Sequence, residues 1–413
     1  MKVFLFLLLA TISSIQAATE CNFTIPDFLP RQRSPIYLTT NRHNTLEVFV
    51  PTGNTTKFRI NESIYLYCEY GFRGNLATTL MEITCENATS FANLQMKTCQ
   101  DITSSDTFPT NASCAGRRGV KYQVGYNITT INGNIRQDVF EVCFNSRTYS
   151  TIYTSHVVNG KAIMYSVRNS QNSFRVGKNI YKNTRLDALY HDFKPINFNW
   201  GTPGLQRAHF TPNADFVFST ERYATYVYIN AAPMFGTINN GNWRIVENKV
   251  RCIGNRTKEN IHVVTGTFGA MKNNNLQELY LDQENKVIAV PEMFWKVAFV
   301  PRNSSAVVFI TLNNISSNSN FSRECPDNCE RMGLNKTQIE NFRNKTRGLT
   351  ICCLLSDFRQ NFSISLPPIL DGKSYNNLLV VPKDCDDERN SQRRPADRAL
   401  PSEQRNPRPR GSR

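Results

Sequence analysis

An α+β fold is what the sequence predicts: short strands and a few helices around an antiparallel sheet, preceded by an N-terminal disulfide-rich β module. Three observations point there. From Gly116 to Pro368 short β-prone runs alternate with a few helical stretches. Ahead of that region Cys21, Cys68, Cys85, Cys99 and Cys114 are spread among Thr, Asn and brief apolar runs, as in a stapled β unit. Beyond Cys385 the composition turns to Arg, Pro and polar residues, which cannot form a core.

Residues 1–17 read as a secretory signal peptide. Met1-Lys2 is followed by an apolar stretch from Val3 to about Ile12 and by small and polar residues up to Ala17, with cleavage expected after Ala17 or Ala18. The stretch is too short for a stable membrane span, and no other apolar run approaches the roughly 20 residues a spanning helix needs. The mature chain is therefore expected to be secreted, extracellular and without a membrane partner. Two further features agree. Asn-x-Ser/Thr sequons occur at Asn22, Asn54, Asn61, Asn87, Asn111, Asn127, Asn255, Asn303, Asn314, Asn320, Asn335, Asn344 and Asn361, a density that suits a glycoprotein. The 12 cysteines are an even number, and Cys325, Cys329 and the vicinal Cys352-Cys353 lack histidines at zinc-ligand spacing, so disulfides are expected rather than metal sites.

Residues 18–115 form the cysteine-rich β module, with strands expected at Leu46-Glu47-Val48-Phe49-Val50 and Ser63-Ile64-Tyr65-Leu66-Tyr67-Cys68. Its Cys68-Glu69-Tyr70-Gly71-Phe72 and Ile83-Thr84-Cys85 faintly resemble a sushi module. Residues 116–385 form the α+β core, in which Met293 to Asn313 reads as two strands about the turn Pro301-Arg302-Asn303-Ser304. Residues 386–413 are expected to be a disordered basic tail, since Arg389 to Arg413 holds eight arginines against two acids. The whole chain carries a formal charge of +15. Such charge steers polyanions, and affinity won by neutralising phosphates is independent of sequence and falls with salt.

Two blocks carry chemistry: Gln206-Arg207-Ala208-His209, and Asn239-Asn240-Gly241-Asn242-Trp243-Arg244-Ile245-Val246-Glu247-Asn248-Lys249-Val250-Arg251. Cutting a phosphodiester needs a base to take a proton from water, which an imidazole with an ordinary pKa of about 6.5 can do, and His209 is the candidate. It also needs a cation on the phosphate, and Mg²⁺ keeps most of its waters, so one protein oxygen such as that of Asn239 can hold it. If Asn239 opens a helix, Trp243, Glu247 and Arg251 follow at i, i+4 steps that drift about 40° each. Ile245, Val246 and Val250 then face the core. Each residue also has a plain structural role open to it. His209 can be a packed core histidine, Asn239 a helix cap, Glu247 and Arg251 an exposed i, i+4 pair, and Trp243 a core ring.

Taken together the blocks resemble the DNA/RNA non-specific endonucleases of the ββα-metal type, whose motif reads Asp-Arg-Gly-His and then Asn-Gln-Gly-x-Trp-x-x-x-Glu-x-x-x-Arg. The flanks Thr211-Pro212-Asn213-Ala214-Asp215-Phe216, Tyr228-Ile229-Asn230-Ala231-Ala232-Pro233, Val263-Val264-Thr265-Gly266-Thr267 and Val290-Pro291-Glu292-Met293-Phe294-Trp295-Lys296-Val297 resemble the family as well, over about Trp200 to Val300. The resemblance implies a Mg²⁺-dependent phosphodiester hydrolase acting on DNA, and on RNA as a second candidate, without strong sequence preference. It implies His209 as general base, Asn239 as metal ligand, Glu247 steering the metal's waters, Arg207 and Arg251 as phosphate clamps, and Arg147 as a substrate-binding arginine. Gln206 stands where the family has Asp and Ala208 where it has Gly. The missing carboxylate keeps a second reading open, a weakly active or inactive nucleic-acid-binding protein of the same fold. With its signal peptide, sequons and front module the chain resembles the secreted animal branch, including insect salivary endonucleases, which implies extracellular DNA as the target. A cysteine-rich adhesion protein would leave both blocks unexplained.

Overall fold

A computed structural model describes residues 20–25, 30, 32–86, 91, 97–130, 133–166, 173–178, 180–181, 184–193, 204–314, 325–370 and 373–385; the expected signal peptide and basic tail lie outside them. The front module contains β1 (Glu20–Thr24), β2 (Ile36–Thr40), β3 (Leu46–Val48), β4 (Thr55–Arg59), β5 (Ser63–Tyr67) and β6 (Leu80–Thr84). β1 pairs with β4, and the others form a sheet in the order β3-β2-β5-β6. Both strands expected from sequence are present, as β3 and β5. Cys21–Cys85 and Cys68–Cys99 staple the module. Alternation along β2 then docks it. Tyr37 turns into the module core with Phe23 and Phe49 and stacks on Phe218 of the larger body at 5.2 Å, while Ile36 and Leu38 join the body's own core with Val124 and Val142.

The body is organised by one large sheet. Its strands in chain order are β7 (Asp106–Cys114), β8 (Gly119–Thr130), β9 (Gly133–Asn145) and β10 (Ser150–Val158), followed outside the sheet by β11 (Leu205–His209) and β12 (Ala231–Phe235). β13 (Ile261–Ala270) returns to it, β14 (Tyr280–Asp282) and β15 (Val287–Ala289) form a separate hairpin, and β16 (Pro291–Val300), β17 (Ser305–Leu312), β18 (Thr350–Cys353) and β19 (Asn377–Leu378) complete it. The order β18-β17-β16-β13-β10-β9-β8-β7 is antiparallel throughout, and β19 adds a short parallel pairing to β17. The hairpin expected from Met293 to Asn313 is β16 and β17, joined at Pro301–Asn303. β7 consists of residues that the sequence places with the front module. Pairing from Asp106↔Gly125 to Cys114↔Gly119 makes them the edge of the large sheet, and Cys114 is bonded to Cys143 on β9. Pro109 and the polar run that follows hide the strand alternation there.

Each face of the sheet is covered by a helix, because neighbouring side chains on a strand point to opposite faces. The helices are α1 (Leu186–Asp192), α2 (Ser219–Ala224), α3 (Arg244–Thr257), α4 (Lys336–Arg343) and α5 (Leu355–Asn361). Ile245, Val246, Val250 and Ile253 of α3 pack on Val263, Ala298, Val307 and Phe309. On the opposite face Leu355 and Phe358 of α5 pack on Trp295, Val297 and Val308. Cys252–Cys385 ties α3 to the end of the described chain, and Cys325–Cys353 and Cys329–Cys352 close the remaining cysteines, so the tetrad expected to form disulfides does so. Asp327 lies close to Cys329 and Cys352, but those sulfurs are consumed by the disulfides and offer no thiolate to a metal. Among the described sequons Asn255 alone is buried, at 8% exposure near the end of α3. No described helix is long and apolar enough to cross a membrane.

Candidate active site

The first block is a strand, β11, whose register places Gln206 opposite Met234 and His209 opposite Ala231 on β12. Buried Asn230 sets the strand's end. Its Oδ1 accepts from the Thr211 backbone N–H at 2.9 Å and its Nδ2 donates to the Thr211 and Thr225 carbonyls. His209 is held between Phe174 and Tyr226, with ring centroids 4.9 and 5.0 Å away. Its Nε2 is enclosed and has no hydrogen-bond partner among the described residues. Burial draws the imidazole down to about 4, so at neutral pH it is uncharged and able to accept a proton.

The second block departs from a simple helix. Gly236–Ile238 makes one helical turn, Asn239–Trp243 a wider π-type turn, and the regular helix α3 starts only at Arg244. Gly241 leaves the helical region at φ −93°, ψ −119°. Close approach is the reason: a Cβ there would lie 2.7 Å from the Arg347 carbonyl oxygen. Asn242 secures the same contact by donating through Nδ2 to the carbonyls of Asn341 and Gly348. Asn239 is thus displaced from the even helical stripe expected for it, while Trp243, Glu247 and Arg251 keep their i, i+4 spacing. Such bulges recur at functional sites.

Gln206 joins the two blocks. Its Oε1 accepts from Asn239 Nδ2 at 2.8 Å and from Asn240 Nδ2 at 3.0 Å. This turns the Asn239 amide nitrogen toward β11 and leaves its Oδ1 without a donor among the described residues. Glu247 likewise carries no hydrogen bond among them, and burial pushes its carboxyl up to about 7 against the lowering effect of Arg251 and Lys296. An amide oxygen and a carboxylate without competing partners are hard oxygen donors, a set that fits a divalent cation that keeps part of its water.

Both arginines of the motif already hold carboxylates. Arg251 donates to Asp215 Oδ1 at 2.7 Å and to Asn248 Oδ1 at 2.5 Å, and Asp215 is 1% exposed. Arg207 donates to Asp187 at 2.5 Å and to the Tyr228 hydroxyl at 2.9 Å, but the Asp187 side chain is 77% exposed. An ion pair in water is weak and open to exchange with a phosphate, whereas the Arg251 pair is fixed. Arg147 sits exposed in the turn between β9 and β10, and no contact joins it to the other candidates.

Beneath these residues lies a polar cluster to which sequence reasoning assigned no role. Burial raises Asp215, but the hydrogen bond from His156 Nε2 (2.9 Å) and the charges of Arg251, His156 and Lys296 outweigh it and bring it to about 2. His156 is itself lowered, by burial first, so it serves as a neutral donor and Arg251 balances the charge. Lys296 is fully buried, donates to Thr265 Oγ1 at 2.6 Å and to the Phe210 carbonyl at 3.2 Å, and lies 5.0 Å from the Trp243 ring centre. Through Phe210 it touches the residue next to His209, and through Trp243 the block carrying Glu247. A lysine between apolar neighbours in a strand is a signal that sequence alone offers, since a buried charge needs partners. His156 carries no local signal and is found only through its contact with Asp215.

A strand bearing His209 with its enclosed Nε2, a bulged helix start bearing Asn239, and a helix bearing Glu247 and Arg251 carry the residues of the two blocks in an α+β fold built on an antiparallel sheet. A family profile described as DNA/RNA non-specific endonuclease matches residues 118–358, and the chain belongs to that family. It is similar to a salivary endonuclease of Lutzomyia longipalpis, 33% identical over 404 residues that cover 91% of this chain and 93% of that protein. It is also similar to salivary protein Tsal2A of Glossina morsitans morsitans, 27% identical over 85% of this chain and 93% of that protein, and to a salivary endonuclease of Culex quinquefasciatus, 24% identical over 87% and 92%.

Proposed function

We propose that the chain is a secreted, Mg²⁺-dependent endonuclease that hydrolyses DNA, with RNA as a second substrate, without strong sequence preference. The observation that carries this reading is the His209 Nε2, enclosed, neutral at pH 7 and without a hydrogen-bond partner among the described residues, beside a block whose oxygens suit a hard cation. A buried nitrogen with no partner costs stability, and retaining one fits an acceptor kept free for water. His209 takes the proton of the attacking water at Nε2. The phosphodiester charge that binds beside it raises its basicity from the low value of the free site. Asn239 Oδ1 and Glu247 are the residues that would hold a divalent cation, Asn239 directly and Glu247 through water; bound there, the cation would supply charge to the phosphate and the leaving oxygen. Arg207 exchanges Asp187 for a phosphate, and Arg251 keeps Glu247 in place from its anchor on Asp215. Arg147 is a further phosphate contact.

The signal peptide expected over residues 1–17, the six disulfides and the relatives named as salivary proteins support an extracellular role, and the charge of +15 supports binding through phosphates. Extracellular DNA is then the natural substrate. Incubating the protein with plasmid in Mg²⁺ and in EDTA tests the reading. Fragmentation that the chelator abolishes is expected, and binding without fragmentation in Mg²⁺ would instead make it a nucleic-acid-binding protein.

Two substitutions probe the cation. Asn239→Ala removes the only direct ligand proposed, and cleavage should collapse without full recovery at high Mg²⁺; normal cutting at ordinary Mg²⁺ would reduce Asn239 to a structural residue. Gln206→Asp restores the family carboxylate. A carboxylate only accepts, so it keeps the Asn239 amide nitrogen facing β11 and adds negative charge beside the cation. The Mg²⁺ concentration for half-maximal cutting should stay level or fall, and the rate should change by less than the roughly 10–100-fold typical of losing a supporting group. Loss of folding or activity would show that Gln206 has a role that a carboxylate cannot fill.

A further inference from the structure

On the sheet face turned away from His209 there is a cavity of about 520 Å³. Its position follows from strand alternation on β10. Tyr153 lines the cavity and packs with Trp295 and Phe358, whereas the next residue, Thr154, accepts a hydrogen bond from Thr211 on the active-site side. The volume is that of a small-ligand pocket. Its walls are the β7–β8 turn from Ser113 to Arg117, Lys121 on β8, Arg359 on α5, and the segment 364–368 after α5.

The lining is cationic and polar on one side and apolar on the other. Arg117, Lys121 and Arg359 line it together with the hydroxyls of Ser113, Ser365 and Tyr153, and no Asp or Glu does among the described residues. Glu141 holds Lys121 at 3.1 Å and neutralises it in part, but Arg117 is exposed with no ion pair among the described residues. Arg359 donates to the Lys373 carbonyl through Nη1, while its enclosed Nη2 has no partner among the described residues. Burial pushes the Tyr153 hydroxyl up to about 12, so it is a donor at any physiological pH. Arg118 clamps the two walls, donating to the Ala115 carbonyl at 3.1 Å and to Ser365 Oγ at 2.6 Å. Ile364, Leu366 and Pro368 supply the apolar side.

We propose that this cavity binds a small organic phosphate, its oxyanion held by Arg117, Arg359 and Lys121 and its apolar group resting on Ile364, Leu366 and Pro368. Guanidinium groups match phosphate oxygens in pairs, and an unmet buried N–H donor gains most from an anionic acceptor. A phosphomonoester carries the double charge that two arginines without an ion pair among the described residues favour, and an attached ring of nucleoside or phenyl size suits a cavity of this volume. The site is independent of the nuclease reading, because none of its residues belongs to the two catalytic blocks.

The test is calorimetric titration of the full-length protein in EDTA with phenyl phosphate, inorganic phosphate and phenol. Phenyl phosphate should bind one to one, at least about tenfold more tightly than inorganic phosphate, since roughly 100 Å² of apolar surface is removed from water. Arg359→Gln and Arg117→Gln should each weaken it by about five- to tenfold or more, as expected for a charge-assisted pair. Both variants should cut DNA like wild type. Arg117 is exposed, so its variant decides the question if Arg359→Gln fails to fold. The proposal is overturned if both variants bind like wild type, if inorganic phosphate binds as well as phenyl phosphate, or if His209→Ala abolishes the binding.

Discussion

His209→Ala should lower cleavage of DNA by at least about a hundredfold while binding in EDTA largely survives, because a general base contributes roughly 10²–10⁴ to rate and does not anchor the backbone. The variant also removes a ring wedged between Phe174 and Tyr226, so His209→Gln is the companion that keeps most of the volume. Near-wild-type cutting by both would end the role of His209 as base. The pH profile offers a separate check. His209 stays neutral down to about 4, so its own protonation does not set the acid limb in the free enzyme. Glu247, raised to about 7, would bind a proton in competition with the cation proposed beside it. Activity at limiting Mg²⁺ should therefore fall as pH drops through 7, and the midpoint should move to lower pH as Mg²⁺ is raised. A limb near 6.5 that ignores Mg²⁺ would return control to an ordinary histidine.

The second large effect concerns stability. Asp215→Asn keeps the side-chain size but removes the one carboxylate that His156 and Arg251 both contact. Arg251 and Lys296 are then left with less compensation in a dry setting, and the unfolding free energy should drop by about 3–5 kcal/mol. Denaturant titration with disulfides intact measures it. A drop below about 1 kcal/mol would place Asp215 among ordinary surface substitutions and contradict its burial. Asp215→Asn combined with Arg251→Met should recover part of the loss, since removing both charges is cheaper than stranding one. Recovery of stability without recovery of cleavage would separate the structural share of the network from the catalytic part proposed for Arg251.

Much of the architecture was legible because it depends on local chemistry. The apolar runs within Met293 to Asn313, broken by Pro301-Arg302-Asn303-Ser304, read as two strands about a turn, and β16 and β17 are that hairpin. Cysteines without companion histidines read as disulfides, and all twelve pair. The helical part of the second block was legible from Trp243, Glu247 and Arg251 at i, i+4 with Ile245, Val246 and Val250 between them, and α3 buries those three. Its opening was not. Nothing near Gly241 in the chain says that the Arg347 backbone, a hundred residues later, will lie so close to the π-type turn that a Cβ there would clash with it. The edge strand β7 escaped notice for a similar reason, since its assignment depends on the partner β8 rather than on its own alternation.

The sequence by itself determined which residues could do the chemistry: a histidine, an amide, a carboxylate and arginines at spacings that a strand and a helix can present. It determined these because side-chain type and short-range period are properties of the chain alone. Only the tertiary structure decided how they are held. It brought Gln206 onto Asn239 and Asn240, left His209 Nε2 without a partner among the described residues, gave Arg251 to Asp215, and set His156 and Lys296 underneath. Those contacts join positions 33 to 86 residues apart, as with Gln206 and Asn239 or Phe210 and Lys296. Free energies of burial, pairing and proton affinity exist only once distant groups share one dry space, and no reading of neighbours along the chain contains them.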